Sequence, residues 1–454
     1  MIAEVARKAA TGWNLRNRPT RLCLSQQMGR IAESSCRTQF FPAFPVRFCF
    51  LFNTSTVGVM RIAMLSWESL HSIAVGGVGV HVTELAAALE RKGHEVHVFT
   101  RMGHGQCHYA RIDGVHYHRC PFDLHSNFVD EINNMCRSFV HHVIQTEDHI
   151  GAFEIIHAHD WLSSNAMIWM KQGRGRKSVM TLHSTEYGRC GNHFWNGQSV
   201  RVREQERAAT YWADHVIAVS HHLRDEIMWM YEAPHWKVST IYNGVSVRNY
   251  DGGIDPWEVK RGYHMGPLDP TVLFSGRMVY QKGPDLLVEA IPAILKFYPN
   301  AKFVFAGDGE MRGQAEHRAR QLGVAHSTRF LGFQANGSLT NLYKACDVVC
   351  VPSRNEPFGI VLLEAWSAGK PVVATNCGGP AEFVWHEVNG LKVYPDPNSI
   401  AWGLGTLFTN FEWARWMGHN GRIAVETAFC WDTIADQVQG LYWNLAGYAR
   451  GAAA

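Results

Sequence analysis

From Met60 onward, short β-branched runs alternate with amphipathic segments of helical period, and this alternation leaves few folds open to the chain. Strand-like runs fall at 61–65, 95–100, 154–158, 178–182 and 215–219, then again at 271–274, 302–306, 329–331, 347–351 and 371–374. In the helix expected over 80–91, preceded by Val78, the residues Val78, Val82, Leu85 and Leu89 share one face, as a helix covering a sheet requires. Stacked strand–helix–strand units close into a parallel sheet covered on both faces. Two series imply two such sheets, and 454 residues exceed what one core usually fills.

Between the series, Gly252, Gly253, Pro256, Gly262, Gly266, Pro267 and Pro270 punctuate the chain like an interdomain connection. The expected division is a leader at 1–59, a first doubly wound domain at 60–245, a linker at 246–270, a second doubly wound domain at 271–428 and a C-terminal helix within 429–454. The leader holds eight Lys/Arg against two Glu without apolar periodicity, so it reads as a transit-like segment or a false upstream start.

Composition excludes several classes. Hydrophobic residues at 46% and charged residues at 18% describe a globular chain. The balance of 43 basic and 40 acidic residues supplies no electrostatic footprint for nucleic acid or a membrane surface. The apolar runs are too short to cross a bilayer, so a soluble, cytoplasmic protein is expected. Eleven cysteines, three of them in the leader, do not read as a disulfide framework, and Cys346 and Cys350 read as core thiols on a buried strand. His157 and His159 alternate on one strand face, but no third ligand stands at a recognisable spacing, so no metal is expected.

In doubly wound sheets, chemistry gathers on loops after the carboxyl ends of strands. The first such loop, Ala74-Val-Gly-Gly-Val-Gly-Val80, brings backbone N–H groups to the start of a helix, where an anion can bind. It lacks the third glycine of the dinucleotide fingerprint, and no nucleotide-hydrolysing P-loop occurs anywhere. After the strand at 271–274, Arg277 and Lys282 offer a planar fork and a point charge, a pair suited to a diphosphate whose charge rises as a bond to it breaks. In Ser353-Arg-Asn-Glu-Pro-Phe-Gly-Ile-Val-Leu-Leu-Glu-Ala365, a helix from Phe358 onward sets Glu356 over its N-terminus and Glu364 within it. A carboxylate inside that apolar run is costly to bury unless something binds it, and sugar hydroxyls are suitable partners.

The ordered set of a Gly-Gly loop, Arg-x4-Lys, two glutamates separated by seven residues, Gly369-Lys-Pro-Val-Val-Ala-Thr375 and Gly378-Gly-Pro-Ala-Glu382 resembles the retaining glycosyltransferases of family 4. His157-Ala-His-Asp-Trp161 and Thr181-Leu-His-Ser184 resemble segments of the glycogen and starch synthases. The resemblance implies the GT-B fold, two Rossmann-like α/β domains facing a cleft, with the last helix returning to the first domain and the cleft closing about a hinge. It implies that Arg277 and Lys282 bind the leaving diphosphate, Glu356 holds donor-sugar hydroxyls with amides near Phe358 and Gly359, and Glu364 binds the ribose. Gly76 and Gly77 would reach the diphosphate from the first domain, His183 would contact the transferred sugar, and the base would pack near Gly332 and Phe333.

Asp160, Trp161, Glu186, Tyr187 and Arg189 are expected along the acceptor side of the cleft. The implied reaction is transfer of a hexose from ADP- or UDP-glucose to a hydroxyl acceptor such as a glucan, with retention, by a front-face path and with no cofactor. No Asp-x-Asp metal motif occurs. Where bacterial glycogen synthases carry Lys-Thr-Gly-Gly, this sequence has Val75 before its two glycines. A nucleotide-sugar epimerase and a non-catalytic sugar-nucleotide binding protein use the same scaffold, whereas the broken fingerprint argues against a nicotinamide oxidoreductase.

Overall fold

The computed structural model describes residues 58–334 and 336–448, so the leader expected at 1–59 lies almost wholly outside the described residues. The first sheet comprises β1 (Arg61–Leu65), β2 (Glu95–Arg101), β3 (Tyr109–Ile112), β4 (Val115–Cys120), β5 (Ile155–His159), β6 (Lys177–Leu182), β7 (His215–Ala218) and β8 (Val238–Thr240). Their order is β3-β4-β2-β1-β5-β6-β7-β8, parallel throughout except for the β3–β4 hairpin. The second sheet comprises β9 (Thr271–Ser275), β10 (Lys302–Ala306), β11 (Thr328–Gly332), β12 (Val348–Val351), β13 (Val372–Thr375) and β14 (Leu391–Val393). It runs β11-β10-β9-β12-β13-β14 and is wholly parallel.

The two-sheet α/β expectation therefore holds, and the GT-B arrangement has two sheets whose chain order reverses at β1/β5 and at β9/β12. At a reversal point the loops after adjacent strands diverge, and the gap receives a ligand. The loop after β1, the ends of β5 and β6, and the loops after β9 and β12 carry nearly all of the expected site residues.

Four helices position the site: α1 (Gly77–Arg91), α2 (Trp161–Arg174), α3 (Ile360–Ser367) and α4 (Trp431–Ala446). Helix α1 begins three residues before the 80–91 expectation, because the glycines read as a turn are themselves its first turn. Helix α3 begins two residues later than expected, after Gly359 takes a positive φ of 98°. The linker contains its own short helix, Pro256–Gly262, whose N-cap Asp255 accepts from Trp257 N–H.

Helix α4 lays Trp431, Ile434, Val438 and Tyr442 into the same core as Ile62, Met64, Leu85 and Leu89 from β1 and α1. Arg91–Asp432 and Lys92–Asp436 ion pairs, both 2.7 Å, edge that contact. The two lobes meet at a cluster of aromatic rings: Tyr242, Phe358, Phe383 and Phe429 lie 5.1 to 6.2 Å apart in successive contacts. Beside it, Glu382 of the second lobe accepts the N–H groups of His221 at 3.0 Å and His222 at 2.6 Å, at the start of a first-lobe helix.

Among the described residues no helix is long and apolar enough to cross a membrane. The cysteines among them are all free; burial pushes the Cys346 thiol up to about 12, and raises Cys350 further, as core positions require.

The fully buried Tyr442 hydroxyl lies 2.6 Å from His157 Nδ1 and ties α4 to β5. Tyr442→Phe leaves that nitrogen buried without its partner and is expected to cost about 1–3 kcal/mol in urea unfolding, without changing the fold by circular dichroism.

Candidate active site

On the second lobe, β9 ends at Ser275, and Arg277 follows immediately. Its guanidinium is exposed and makes no hydrogen bond or ion pair among the described residues. Lys282, five residues on, is already engaged: its Nζ lies 2.8 and 2.7 Å from the two oxygens of Glu356. Ser353 Oγ donates to the same carboxylate at 2.9 Å, and Glu356 is only 5% exposed. A cation and a hydroxyl thus replace the water that the buried carboxylate has lost.

The backbone beneath this pair is tightly built. Gly379 N–H donates to Glu356 O at 2.8 Å, and a Cβ at Gly378, where φ is +63°, would stand 2.0 Å from that same oxygen. The Gly-Gly pair before Pro380 therefore exists to let one loop close on another, and any larger residue would push Glu356 off Lys282.

Glu364, one turn into α3, accepts from the Tyr343 hydroxyl at 2.7 Å. Burial pushes its carboxyl above the usual carboxylate range, with phenol hydrogen bonds from Tyr343 and Tyr250 opposing the shift. Phe358 is buried in the aromatic junction, Gly332 takes a left-handed φ of 68°, and Phe333 stands 73% exposed beyond β11.

On the first lobe, Asp160 follows β5 with φ +57°, a conformation rare outside glycine and kept where surrounding contacts impose it. Its Oδ1 accepts the His183 N–H at 2.7 Å, across from the end of β6. Burial pushes Asp160 up to about 6, against the pull of Arg189, the amides of His183 and Ser184, and Arg277 of the opposite lobe.

Burial lowers the His183 imidazole to about 3, so it is neutral near pH 7. Its Nε2 lies 3.4 Å from His159 Nδ1, and its ring lies 4.5 Å from that of His81. His81 donates through Nδ1 to Asn243 Oδ1 at 2.8 Å. The expectation that His159 lacks further ligand-type neighbours is corrected here: His81, His159 and His183 each present a ring nitrogen within 4.8 Å of the others. These three could hold a metal ion, and the Nε2 atoms of His81 and His159 are buried without a hydrogen-bond partner. His157, the other half of the sequence pair, is instead committed to Tyr442 and, at 2.7 Å, to Thr181 Oγ1. Spacing along one strand could not show a cluster assembled from α1, β5 and the end of β6.

Trp161 departs from its expected place on the cleft wall, being 6% exposed and packed edge-on to Phe128 in the core. Arg189 bonds Glu206 at 2.5 Å, Glu186 at 3.1 Å and Ser184 Oγ at 2.8 Å, so Glu186 and Arg189 form a closed polar network. Tyr187 packs at a tilt against Phe194 and edge-on to Trp229 in an aromatic cluster next to it.

In the glycine loop, Val75 and Gly76 both direct their N–H groups at Oε2 of Glu68, each at 2.6 Å. Glu68 was not among the sequence candidates. Its one signal is position, three residues beyond the first strand of a doubly wound sheet.

The site thus sets an uncommitted guanidinium, an ammonium shared with a carboxylate, and a ring of neutral imidazoles around one cleft at the reversal points of two parallel sheets. Residues 75–249 match the family described as Glycosyltransferase Family 4, and residues 261–423 match Glycosyl transferases group 1. An uncharacterized glycosyltransferase of Methanocaldococcus jannaschii is 38% identical over 84% of this chain and 98% of its own length. Glycogen synthase of Mycobacterium tuberculosis is 28% identical over 84% of this chain and 94% of its own. The crystal structure of Anabaena HepE with UDP and glucose superposes with a TM-score of 0.69 at 22% identity, covering 85% of this chain and all of the other. The fold is that of the GT-B glycosyltransferases, and the enzyme belongs to the group 1, family 4 glycosyltransferases.

The Asp160 shift has a stability consequence. A carboxyl whose folded value of about 6 exceeds the ordinary 3.8 favours folding while protonated, and that advantage is lost as pH rises through about 6. Asp160→Asn is therefore expected to stabilise the protein by on the order of 2–3 kcal/mol at pH 7, the gain vanishing below about pH 4 in paired thermal melts.

Proposed function

We propose that the enzyme transfers glucose, with retention of anomeric configuration, from ADP- or UDP-glucose to a hydroxyl of a glucan acceptor, in the manner of a glycogen synthase. The observation that carries the reading is the Lys282–Glu356 pair on the segment that also carries the unpaired Arg277, at the second reversal point. A departing nucleoside diphosphate gains charge as the glycosidic bond to it breaks, and two preoriented cations in a partly dry cleft favour that change.

In this reading Lys282 turns from Glu356 towards the diphosphate, where Arg277 supplies the second cation. Glu356, released on one side, accepts hydroxyl hydrogens of the sugar, and the amides of Phe358 and Gly359 add donors. Glu364 grips the ribose through carboxylate lone pairs not used by Tyr343 and Tyr250, with the base lying along Gly332 and Phe333. Gly77 and the first turn of α1 bring main-chain N–H groups to the diphosphate from the first lobe, whereas the Gly76 N–H expected to join them is held by Glu68. His183, uncharged, hydrogen-bonds the transferred sugar, and Asp160 orients it through its main-chain N–H.

The departing phosphate oxygen takes the proton of the incoming hydroxyl on the same face from which it leaves, so no protein nucleophile and no metal ion is required. The acceptor enters past Asp160, Glu186 and Arg189. The name of the mycobacterial glycogen synthase supports a glucan acceptor, and the HepE complex supports a UDP-glucose donor. The reaction fits a cytoplasmic setting, where the free thiols of the described residues stay reduced.

The reading is tested by supplying radiolabelled UDP-glucose and ADP-glucose with and without a glucan primer. Label joined to primer in an α-linkage is the expected product. Free glucose or an epimerised nucleotide sugar in its place would replace this function with that of a GT-B epimerase. Lys282→Ala should lower kcat by on the order of a hundredfold or more, with a smaller change in donor KM, in initial-rate assays.

A further inference from the structure

We infer that Glu68 is a positioning residue for the donor diphosphate: its carboxylate clamps the glycine loop from behind and thereby aims the first amides of α1 into the cleft. The inference rests on the reading of the donor as a nucleoside diphosphate sugar.

Glu68 sits in the loop that leaves β1, and its own backbone is fixed before the side chain acts. Ser66 Oγ donates to Glu68 O at 2.8 Å and receives the Glu68 N–H at 3.3 Å. Its neighbour Trp67 is pinned by Arg101, whose guanidinium lies 3.5 Å over the indole ring while Nε donates to Trp67 O at 2.6 Å. From this anchor the Glu68 side chain turns inward, 5% exposed, and its Oε2 receives the N–H groups of Val75 and Gly76 together.

Two successive main-chain N–H groups converging on one anionic oxygen form the same concavity that holds a phosphate in a nest. Here the protein fills it with its own carboxylate, so the amides just before α1 are spoken for. Those inside its first turn are not, since Gly76 at the N-cap offers no side chain and no side chain caps this end of the 15-residue helix. Glu68 thus fixes which amides remain for a ligand and where they point.

Packing shows how little play the loop has. A Cβ at Gly79 would stand 3.4 Å from Glu68 Oε2, so the first turn of α1 is wrapped around the carboxylate. A Cβ at Gly77 would stand 3.0 Å from Ile360 Cδ1 at the start of α3 on the opposite lobe. The loop is therefore held between Glu68 behind and the donor lobe in front. A shift of about 1 Å there moves the helix amides relative to Arg277 and Lys282, and misplacements of that size are known to lower rates by orders of magnitude.

A carboxylate this close to a bound diphosphate would also repel it, and the two N–H groups held on its Oε2 offset part of that charge. The opposite role, a competitor that must leave before the donor binds, makes the opposite prediction and is one outcome of the test.

The experiment compares wild type, Glu68→Ala, Glu68→Gln and Glu68→Asp by calorimetric titration with UDP and ADP, and by ligand-observed NMR with uridine and adenosine. Glutamine keeps one carbonyl oxygen able to accept both N–H groups, whereas alanine has none and aspartate falls a methylene short. Glu68→Ala and Glu68→Asp are expected to weaken diphosphate binding on the order of tenfold or more, with Glu68→Gln within about threefold of wild type and nucleoside binding unchanged in all four. Should Glu68→Ala fail to fold, Glu68→Asp carries the comparison. Equal or tighter UDP and ADP binding by the alanine or aspartate variant overturns the inference, as does parallel loss of nucleoside binding, which a collapsed lobe would give. Wild type binding neither nucleotide would overturn the donor reading itself, a result distinct from a failure of Glu68.

Discussion

An ammonium and a carboxylate, Lys282 and Glu356, meet across two loops at 2.7 Å, and the architecture of the second lobe can be understood as the means of holding them there. Each charge is costly to bury alone, and each makes the other tolerable. The glycine pair at 378–379 allows the main chain to close beneath Glu356, and Ser353 supplies the further hydrogen bond that its oxygens need. Since β9 and β12 are neighbours in space yet far apart in sequence, the pair forms only once the parallel sheet has assembled. Drawing the ammonium away from its partner would leave the buried Glu356 in need of new hydrogen-bond donors, so the two groups are coupled in whatever the site does.

The first lobe handles charge differently. Behind its strand ends lie imidazoles that burial keeps neutral: His81, His157, His159 and His183 are all lowered well below the ordinary histidine range. Neutral rings offer hydrogen bonds without adding a net field, while Asp160, strained and raised by burial, is the acid set among them. The strain at Asp160 is of the kind that persists at functional positions because neighbouring structure over-determines it.

Much of this was legible in the sequence, for identifiable reasons. The two parallel sheets were readable because buried parallel strands are continuous β-branched runs, and 271–274 or 371–374 hardly admit another reading. The hairpin β3–β4 was not, since Tyr109-Ala-Arg-Ile112 and Val115-His-Tyr-His-Arg-Cys120 carry charged and imidazole side chains that obscure the alternation. Arg277, Lys282, Glu356 and Glu364 stood out because charges beside apolar strand ends are conspicuous. Glu68 and His81 did not, because their roles arise from partners that only tertiary structure brings near: the amides of 75 and 76 for one, Asn243, far along the chain, for the other. Trp161 misleads for the converse reason, as an aromatic next to a cleft aspartate can as readily complete the core beneath it.

The return of helix α4 to the first lobe bears on how the protein is made. Ile62, Met64 and Leu85 find part of their apolar cover in Trp431, Val438 and Tyr442, residues synthesised after the whole second sheet. During translation the first sheet must therefore wait, with one greasy flank bare, while the entire second lobe emerges from the ribosome and folds. A chain that stopped before α4 would keep that flank exposed, a surface through which partly folded proteins associate.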